Sequence, residues 1–283
     1  MYAESFEYHA PASLQEAVTL LGQYGDDAKI VTGGMSLIPI MKLRLAAPKH
    51  LIDLRKVGEL KGISESGGNL TIGAGTTYYE LESSKTVLDK CPLLAQTAAA
   101  VGDVQVRNRG TLGGSVVHND PSADLPAALV ALDAQLTLQG KSQRTVAIKD
   151  FLVDSLTTAI EPDEILVRIT VIATGRNTCY AKMAQQASGF AVVGVAVALE
   201  MNGANCTGAR VGVTGVSPTA FRAGAVERAL AGKALDDGAI AAAAEQVAGD
   251  AKDPLGDPLN ASPEYRLHLA KVFTRRAIEG ARV

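Results

Sequence analysis

The hydrophobic pattern near the start of the chain predicts a helix followed by a short strand. The helix is predicted by apolar residues at the i, i+3, i+4 and i+7 spacing of one helical face, which are Leu14, Ala17, Val18 and Leu21. Ser13 and Glu16 stand at the spacing of a capping box, so we expect the helix to begin directly after Ser13. A β-rich run then covers residues 29–31, before a segment with two adjacent glycines.

Strands and helices are also predicted through the middle of the chain. "HLIDLRKV" and "LKGISESGGNLTIGAG" are typical of short strands, and residues 66–69 form a hairpin connection within the second run. Helices are predicted from Pro92 through "LLAQTAAAV" and again in "DLPAALVALDA". A turn is predicted at residues 161–163, and further strands are predicted in "AQLTLQG", "QRTVAI" and "EILVRITVI".

A polar break at residues 174–177 divides the chain into two unequal parts. Three β-rich runs follow the break, "TCYAKMA", "FAVVGVAVALEM" and "CTGARVGVTGV", and three helical stretches follow them, of which the last covers residues 264–280. Strands followed by helices are typical of a separate α+β domain. We therefore expect a boundary near residue 175, with one domain over residues 1–175 and another over 176–283.

Composition narrows the class of protein further. The 283 residues are 47% hydrophobic and 20% charged, which is typical of a globular protein. The net charge of −3 includes no basic stripe, so we expect no nucleic-acid partner. The sequence has no apolar run long enough to span a bilayer and no signal-peptide pattern at its start, and we expect a cytoplasmic protein without a transmembrane segment. Its three cysteines lie far apart, which predicts neither a disulfide framework nor an iron–sulfur or zinc site within this chain.

Two short glycine motifs are the strongest chemical signal in the sequence. "TGGMS" covers residues 32–36 and "TLGGS" covers residues 111–115. Backbone N–H groups turned inward form an anion-binding concavity, and glycine allows phosphate oxygens to approach the backbone closely. Neither motif matches the Rossmann or the P-loop pattern. We therefore predict that the two motifs are exposed loops, which meet and bind one pyrophosphate group through their amides.

Several residues near the second motif allow two interpretations. Asp124 precedes an apolar helix, so it is either an N-cap or a carboxylate that accepts hydrogen bonds from ribose or ribityl hydroxyls. Arg107 and Arg109 either face a diphosphate or form a solvated basic pair. Residues 119–121 are typical of a turn, and His118 has no second ligand at metal-binding spacing. No pattern of a nucleophile or of acid–base catalysis is present, so we assign no catalytic residue and no metal ligand.

Two segments of the sequence resemble a known family. "VTGGMSLIPIMKLRLAAPKHLIDLRKV" and "RNRGTLGGSVVHNDPSADLPAALVALDA" are similar to the FAD-binding medium subunits of molybdenum hydroxylases, the xanthine dehydrogenase family, and most similar to medium chains of aerobic carbon monoxide dehydrogenases. The resemblance implies an α+β fold, with a p-cresol methylhydroxylase-type FAD-binding domain of two α/β subdomains, about 1–58 and 59–175. A C-terminal α+β domain with a three-stranded antiparallel sheet and helices then follows.

The resemblance also implies which residues bind FAD. Two segments would surround the diphosphate: Val31, Thr32, Gly33, Gly34, Met35, Ser36, Leu37 and Ile38 in the first, and Thr111, Leu112, Gly113, Gly114 and Ser115 in the second. Val101 would lie near the adenosine half, Asp124 would bond FAD hydroxyls, and Phe190 would lie beside the isoalloxazine ring; Leu166 and Lys182 match further cofactor positions. Met35 replaces a His or Gln of many relatives, and Ser115 replaces an Asn, so these two side-chain contacts depart from the family pattern.

The function implied by the resemblance is electron transfer within a complex. A small partner chain would contain [2Fe–2S] clusters and a large partner chain the molybdenum cofactor, in a dimer of heterotrimers that reduces a quinone or another acceptor, with peripheral association at the inner face of a membrane through the complex. Carbon monoxide is the favoured substrate of the complex, with N-heteroaromatic compounds or aldehydes as alternatives. Two other classes stay open: a stand-alone vanillyl-alcohol-type flavin oxidase, with His118 as a covalent flavin attachment site, and a nucleotide-binding module without a redox role.

Overall fold

The structure, a computed structural model, describes residues 2–257 and 261–282. Its N-terminal part is a small parallel sheet with strand order β1–β3–β2. Helix α1 connects the first two strands and begins where predicted, because the Ser13 side chain accepts a hydrogen bond of 3.2 Å from the backbone N–H of Glu16. The elements of this part are β1 Glu7–His9, α1 Leu14–Tyr24, β2 Ala28–Val31, α2 Leu37–Lys42 and β3 His50–Asp53.

The second part is built on an antiparallel sheet with strand order β4–β5–β10–β6–β7. The predicted hairpin is confirmed, since Ser66 pairs with Asn69 across Gly67 and Gly68, which both have positive φ. The strands of this part are β4 Ile63–Ser66, β5 Asn69–Gly73, β6 Gln135–Gln139, β7 Gln143–Ala147, β8 Leu152–Asp154, β9 Thr157–Thr158 and β10 Ile165–Ile172. Its helices are α3 Tyr78–Ser83, α4 Lys85–Lys90, α5 Pro92–Ala99, α6 Val104–Arg109, α7 Leu112–His118, α8 Leu125–Ala131 and α9 Ile148–Phe151.

The C-terminal part has one strand more than predicted. Within the described residues its antiparallel sheet has four strands in the order β11–β12–β13–β14, where the predicted sheet has three. The additional strand is only two residues long and pairs Phe221 with Val213. The elements are β11 Thr178–Ala184, β12 Ala191–Asn202, β13 Asn205–Thr214, β14 Phe221–Arg222, α10 Gly224–Leu230, α11 Asp237–Ala244, α12 Val247–Asp250 and α13 Pro263–Ala281.

Helix α8 joins the second part to the C-terminal part. Every residue of α8 is buried, and the helix packs directly against β13. Gly212 makes this close approach possible, because a Cβ at that position would overlap the carbonyl group of Ala127. The Thr214 hydroxyl lies 2.9 Å from the carbonyl oxygens of Pro121 and Ala123, which share its one donated hydrogen bond. Of the helices in the described ranges, none is both long and apolar enough to span a membrane.

Candidate functional site

A cavity of 660 Å³ lies where the three parts of the chain meet. Its walls include strand β2 and the first glycine motif on one side, and helix α7 and Asp124 on another. Residues 188–190, which belong to the C-terminal part, contribute a third wall. This volume lies within the range of about 300–1,000 Å³ that is usual for cofactor and small-molecule sites.

The first glycine motif connects β2 to α2 along the wall of this cavity. Gly34 has a φ of 76°, a left-handed backbone conformation that favours glycine. No described residue accepts a hydrogen bond from the backbone N–H groups of Gly33, Gly34 or Met35. Because these residues also line the cavity, their amides are available to an anionic ligand within it.

The two glycine motifs meet, as the sequence analysis predicts. A Cβ at Gly33 would overlap the carbonyl oxygen of Arg109 and lie 2.9 Å from the Cα of Gly110, so only glycine allows this contact between the two segments. The side-chain oxygens of Thr32 and Thr111 form a hydrogen bond of 2.9 Å. Gly33 is therefore needed for the close packing of two protein segments, and not for a close approach to phosphate.

The second glycine motif is helical, whereas the sequence analysis predicts an exposed loop. Thr111 is the N-cap of α7, and its side chain accepts a hydrogen bond of 3.2 Å from the N–H of Gly114. The N–H of Gly113 donates to the carbonyl of Ala74 at 2.8 Å, and the N–H of Ser115 donates to the carbonyl of Thr111 at 3.0 Å. These amides already donate hydrogen bonds within the protein. The prediction that free amides of this motif bind an anion is therefore not met.

Gly113 and Gly114 have different roles in α7. A Cβ at Gly113 would lie 2.6 Å from the Cβ of Ala74, so this glycine allows the helix to pack on the end of β5. Gly114 lines the cavity, where a Cβ would lie 2.8 Å from the Thr111 hydroxyl and 3.4 Å from the Thr32 hydroxyl. A side chain at position 114 would therefore cover the two threonine hydroxyls that lie at the meeting point of the motifs.

Asp124 forms a buried cluster with two residues of β11. Its side chain makes no capping hydrogen bond at the start of α8, so the N-cap interpretation is wrong for its carboxylate. The carboxylate instead accepts a hydrogen bond of 2.6 Å from the Tyr180 hydroxyl and bonds of 3.0 and 3.2 Å from the Lys182 ammonium. Burial raises the pKa of Asp124, although Lys182 and Tyr180 oppose this shift. Burial and the neighbouring carboxylate raise the pKa of Tyr180 well above its usual value.

The turn between β11 and β12 forms part of the cavity wall. The Lys182 ammonium donates to the carbonyl of Gly189 at 2.8 Å, which connects this turn to the Asp124 cluster. Gly189 has a φ of 73°, and a Cβ there would lie 3.1 Å from the Cα of Gly102. Phe190 follows the turn and is 47% exposed at the cavity wall.

Most of the residues predicted to bind the cofactor line this one cavity. They are Val31, Thr32, Gly33, Gly34, Met35, Ser36, Leu37, Val101, Thr111, Gly113, Gly114, Ser115, Asp124, Leu166 and Phe190. Three predicted residues do not line it. Ile38 packs beside Gly34, where its Cγ1 would lie 3.0 Å from an added Cβ. Leu112 is fully buried in the core, and Lys182 lies behind Asp124.

Sequence reasoning missed several residues of the cavity wall. Tyr78 lines the cavity, and burial raises its pKa to about 12. Pro162 also lines it, although the sequence predicts only a turn there. His118 lines it as well, and among the sequence-based hypotheses it has a role only in the flavin oxidase alternative, as a covalent attachment site. Arg107, by contrast, forms an ion pair of 2.8 Å with Glu82 and is therefore not a free cation facing a diphosphate. The available signal for Tyr78 was the run "GAGTTYYE", in which two glycines and a capping threonine precede the start of α3 at Tyr78.

Comparison with known proteins relates this site to flavoproteins. Residues 4–171 match the family described as "FAD binding domain in molybdopterin dehydrogenase", and residues 178–281 match "CO dehydrogenase flavoprotein C-terminal domain". The chain is 41% identical to the carbon monoxide dehydrogenase medium chain of Afipia carboxidovorans, with 100% of this chain and 98% of the relative covered. It is 35% identical to subunit alpha of the 6-hydroxypseudooxynicotine dehydrogenase complex of Paenarthrobacter nicotinovorans, with 99% and 96% covered.

A solved structure shows the same fold. It is the carbon monoxide dehydrogenase from Hydrogenophaga pseudoflava, in a form that lacks the Mo-pyranopterin moiety of the molybdenum cofactor. The TM-score is 0.94 at 42% identity, and the alignment covers 99% of this chain and 98% of the other chain. The similarity therefore covers both glycine motifs and the C-terminal part, including its turn between β11 and β12.

Proposed function

This chain belongs to the FAD-binding subunits of the molybdopterin dehydrogenases, the molybdenum hydroxylase family, and on that premise we propose that it transfers electrons within a carbon monoxide-oxidising complex. It would receive them from [2Fe–2S] clusters in a small partner chain and deliver them to a quinone or another acceptor. A large partner chain would contain the molybdenum cofactor and oxidise the substrate. The assembly we propose is a dimer of such heterotrimers.

The observation that supports this proposal is the meeting of both glycine motifs at one cavity. The free amides of Gly33, Gly34 and Met35 suit a diphosphate, and Gly114 leaves the threonine hydroxyls uncovered. The size of the cavity and its mixture of apolar walls with a few polar groups also suit a dinucleotide. FAD, when bound, supplies the redox chemistry, and the residues of this chain bind it, orient its ring and control its access to water.

The remaining predicted residues have roles that follow from their positions. Asp124 is held by Tyr180 and Lys182, so its carboxylate is fixed in place before it meets a ribityl or ribose hydroxyl. Phe190 stands at the open part of the cavity wall, where an isoalloxazine ring would contact it. Ile38, Leu112 and Lys182 support these residues rather than line the cavity. We retain 1–175 and 176–283 as the proposed domains, with subdomains of about 1–58 and 59–175.

Carbon monoxide is favoured over other substrates by the degree of similarity. The identity is 41% to the carbon monoxide dehydrogenase medium chain and 35% to the chain from the 6-hydroxypseudooxynicotine dehydrogenase complex. Substrate is oxidised in a different chain, so the cofactor-binding residues here do not themselves select it. An N-heteroaromatic compound or an aldehyde is therefore the alternative that a substrate test must include.

Flavin retention tests the site directly. Gly114→Val places a branched side chain against the Thr111 and Thr32 hydroxyls, so we expect the purified full chain to fold but to lose most of its FAD. Gly175→Val is the matched control, because no atom lies within 4 Å of an added Cβ there, and it should keep its FAD. FAD per chain is measured by absorbance after extraction, and folding by circular dichroism. Full occupancy in the Gly114→Val chain would contradict the site assignment.

Purification of the native complex tests the substrate. The complex is purified from its native host, its molybdenum and iron are measured, and electron-acceptor reduction is followed with carbon monoxide, an aldehyde or an N-heteroaromatic compound. We expect carbon monoxide to be the substrate that supports reduction. If an aldehyde or heteroaromatic compound does so instead, the electron-transfer role stands and the carbon monoxide assignment is wrong.

Acid precipitation separates this proposal from a self-contained flavin oxidase. His118 lines the cavity, so its position alone is compatible with a covalent flavin bond. The relatives of equal length are named as a medium chain and as a subunit of a complex, which favours the electron-transfer role. We expect acid to release all of the FAD into the supernatant, whereas flavin that remains attached to the precipitated chain would support the oxidase.

A further inference from the structure

Three potential metal ligands meet on one face of the N-terminal sheet, away from the glycine motifs. Strands β1 and β3 are parallel neighbours, and Glu7 is directly opposite His50 in their register. Glu7 and His9 are two residues apart on β1, so their side chains leave the same face of the sheet. The pairing of the two strands therefore brings the His50 imidazole to Glu7 and His9, although His50 lies 41 residues after His9 in the sequence.

The distances between the ligand atoms match a small tetrahedral site. The His9 Nε2 atom lies 3.1 Å from the His50 Nδ1 atom, which in turn lies 3.5 Å from the Glu7 Oε2 atom. Zn–N and Zn–O bonds of about 2.0–2.1 Å place neighbouring ligands of a tetrahedral ion about 3.3 Å apart. All three ligand atoms lie within 4.8 Å of one another. The Glu7 side chain is exposed, so its carboxylate can move closer to the two imidazoles.

A tyrosine holds the two imidazole rings in place. The ring of Tyr24 stacks on His50 with centroids 3.7 Å apart and planes 13° apart, and it lies 5.0 Å from the ring of His9. Stacking restricts the rotation of both rings, so the two nitrogen atoms face each other before any ion is present. Preorganised ligands lose less conformational freedom on binding, which favours affinity.

We propose that Glu7, His9 and His50 bind one divalent transition-metal ion, such as Zn²⁺. Two imidazole nitrogens and one carboxylate suit Zn²⁺, Ni²⁺ or Cu²⁺, whereas Ca²⁺ and Mg²⁺ prefer sites made entirely of oxygen ligands. The Glu7 side chain is 73% exposed, so the fourth position of a tetrahedral ion faces solvent and accepts water. The ion would link β1, which has only three residues, to β3 and so fix the start of the chain on the sheet.

A metal-free interpretation of the same geometry is a hydrogen bond between the two imidazoles. Titration with metal distinguishes the two interpretations. Zn²⁺ is added to the metal-free full chain at pH 7.5 in a calorimeter, and we expect one ion per chain. His9→Gln and His50→Gln should each weaken binding at least about tenfold, the lower end of the loss seen even for outer-shell groups. His268→Gln is the matched control, since His268 is exposed on α13, and its affinity should equal that of the unchanged chain.

A second measurement uses the unchanged protein and does not depend on how the variants fold. The electron paramagnetic resonance spectrum of one equivalent of Cu²⁺ should show hyperfine coupling to two nitrogen nuclei, as expected for the His9 and His50 imidazoles. The absence of saturable Zn²⁺ binding by the unchanged chain would overturn the proposal. Equal affinity in the His50→Gln and His268→Gln chains, or a copper spectrum without two coupled nitrogens, would overturn it as well.

Discussion

Glu164 stabilises the turn between β9 and β10, which forms part of the cavity wall. Its carboxylate accepts hydrogen bonds of 2.5 and 2.7 Å from the Arg144 guanidinium and one of 2.8 Å from the backbone N–H of Glu161. Arg144 lowers the pKa of Glu164 below its ordinary value of 4.5. The Glu164 carboxylate is buried, whereas the Arg144 guanidinium is partly exposed. This pair therefore stabilises the turn as charged hydrogen bonds do, and not as a fully buried ion pair does.

Glu164→Gln should therefore destabilise the protein in a pH-dependent way. A group whose folded-state pKa is lowered contributes stability above its unfolded-state pKa and loses it as the pH falls through the folded-state value. We expect the free energy of unfolding in urea to fall by about 2 kcal/mol at pH 7, as for charged hydrogen bonds. That difference should shrink as the pH falls below 4.5. Glu161→Gln is the control, because Glu161 is exposed and 3.9 Å from Arg144, and a constant difference for Glu164→Gln at all pH values would contradict the assignment.

Individual residues of the site were predictable where the sequence itself restricts the backbone. The adjacent glycines of the first motif predicted a special backbone conformation at Gly34, and its positive φ explains why glycine is present there. The reason for Gly33 was not predictable, because it is a contact with Arg109, which lies far away in the sequence. The same limit applies to Asp124: no local pattern indicates a hydrogen bond to Tyr180 from a different domain.

At the scale of elements, one side chain joins the turn between β11 and β12 to the Asp124 cluster. Lys182 holds the carbonyl of Gly189 at 2.8 Å and the carboxylate of Asp124 at 3.0 Å. Within the turn, the N–H of Gly189 donates to the carbonyl of Gln185 at 2.8 Å. This arrangement joins the turn, and Phe190 beside it, to a buried group of the other domain.

Lys182→Met should loosen this turn without unfolding the sheet. The loss of one hydrogen bond of about 1 kcal/mol corresponds to about fivefold faster local opening. We expect hydrogen exchange at Gly189 to accelerate at least about that much, measured by mass spectrometry of the peptide that contains the turn. Lys233→Met, an exposed lysine of the same domain, should leave exchange in this peptide unchanged. Equal exchange in both variants would mean that Lys182 does not hold the turn.

Elements were predictable where a local periodic pattern determines them. Helix α1 follows from its apolar stripe and its Ser13 cap, and α13 from its long amphipathic pattern. Helix α7 was predicted as a loop, because two glycines disfavour a helix locally and packing on Ala74 outweighs that preference. Strand β14 was missed because two residues give no detectable alternation. The meeting of His9 and His50 was equally invisible, since it depends on the pairing of β1 with β3.

At the scale of the whole molecule, the complete cavity wall requires the two domains to stay docked, because residues 188–190 of the second domain form part of it. The cavity takes walls from both, and helix α8 of the first domain packs on β13 of the second. The docking contact is made between backbones: a Cβ at Gly212 would overlap the Ala127 carbonyl and lie 3.1 Å from the nitrogen of Ala131. These backbone atoms cannot rotate out of the way as a side chain can. Even one methyl group at position 212 must therefore push α8 away from the sheet.

Gly212→Ala should therefore weaken docking and flavin retention together. We expect the free energy of unfolding to fall by about 1–3 kcal/mol, the usual cost of an overpacked contact, and FAD affinity to fall with it because the cavity walls separate. Gly208→Ala on the same strand is the matched control, since its Cβ would meet only the flexible Glu200 side chain, most closely at the carboxylate. Urea titrations followed by circular dichroism and by flavin fluorescence measure both effects. If Gly212→Ala lowered stability but left FAD affinity at the Gly208→Ala value, the cavity would not depend on the docking of α8, and the interdomain origin of the site would be wrong.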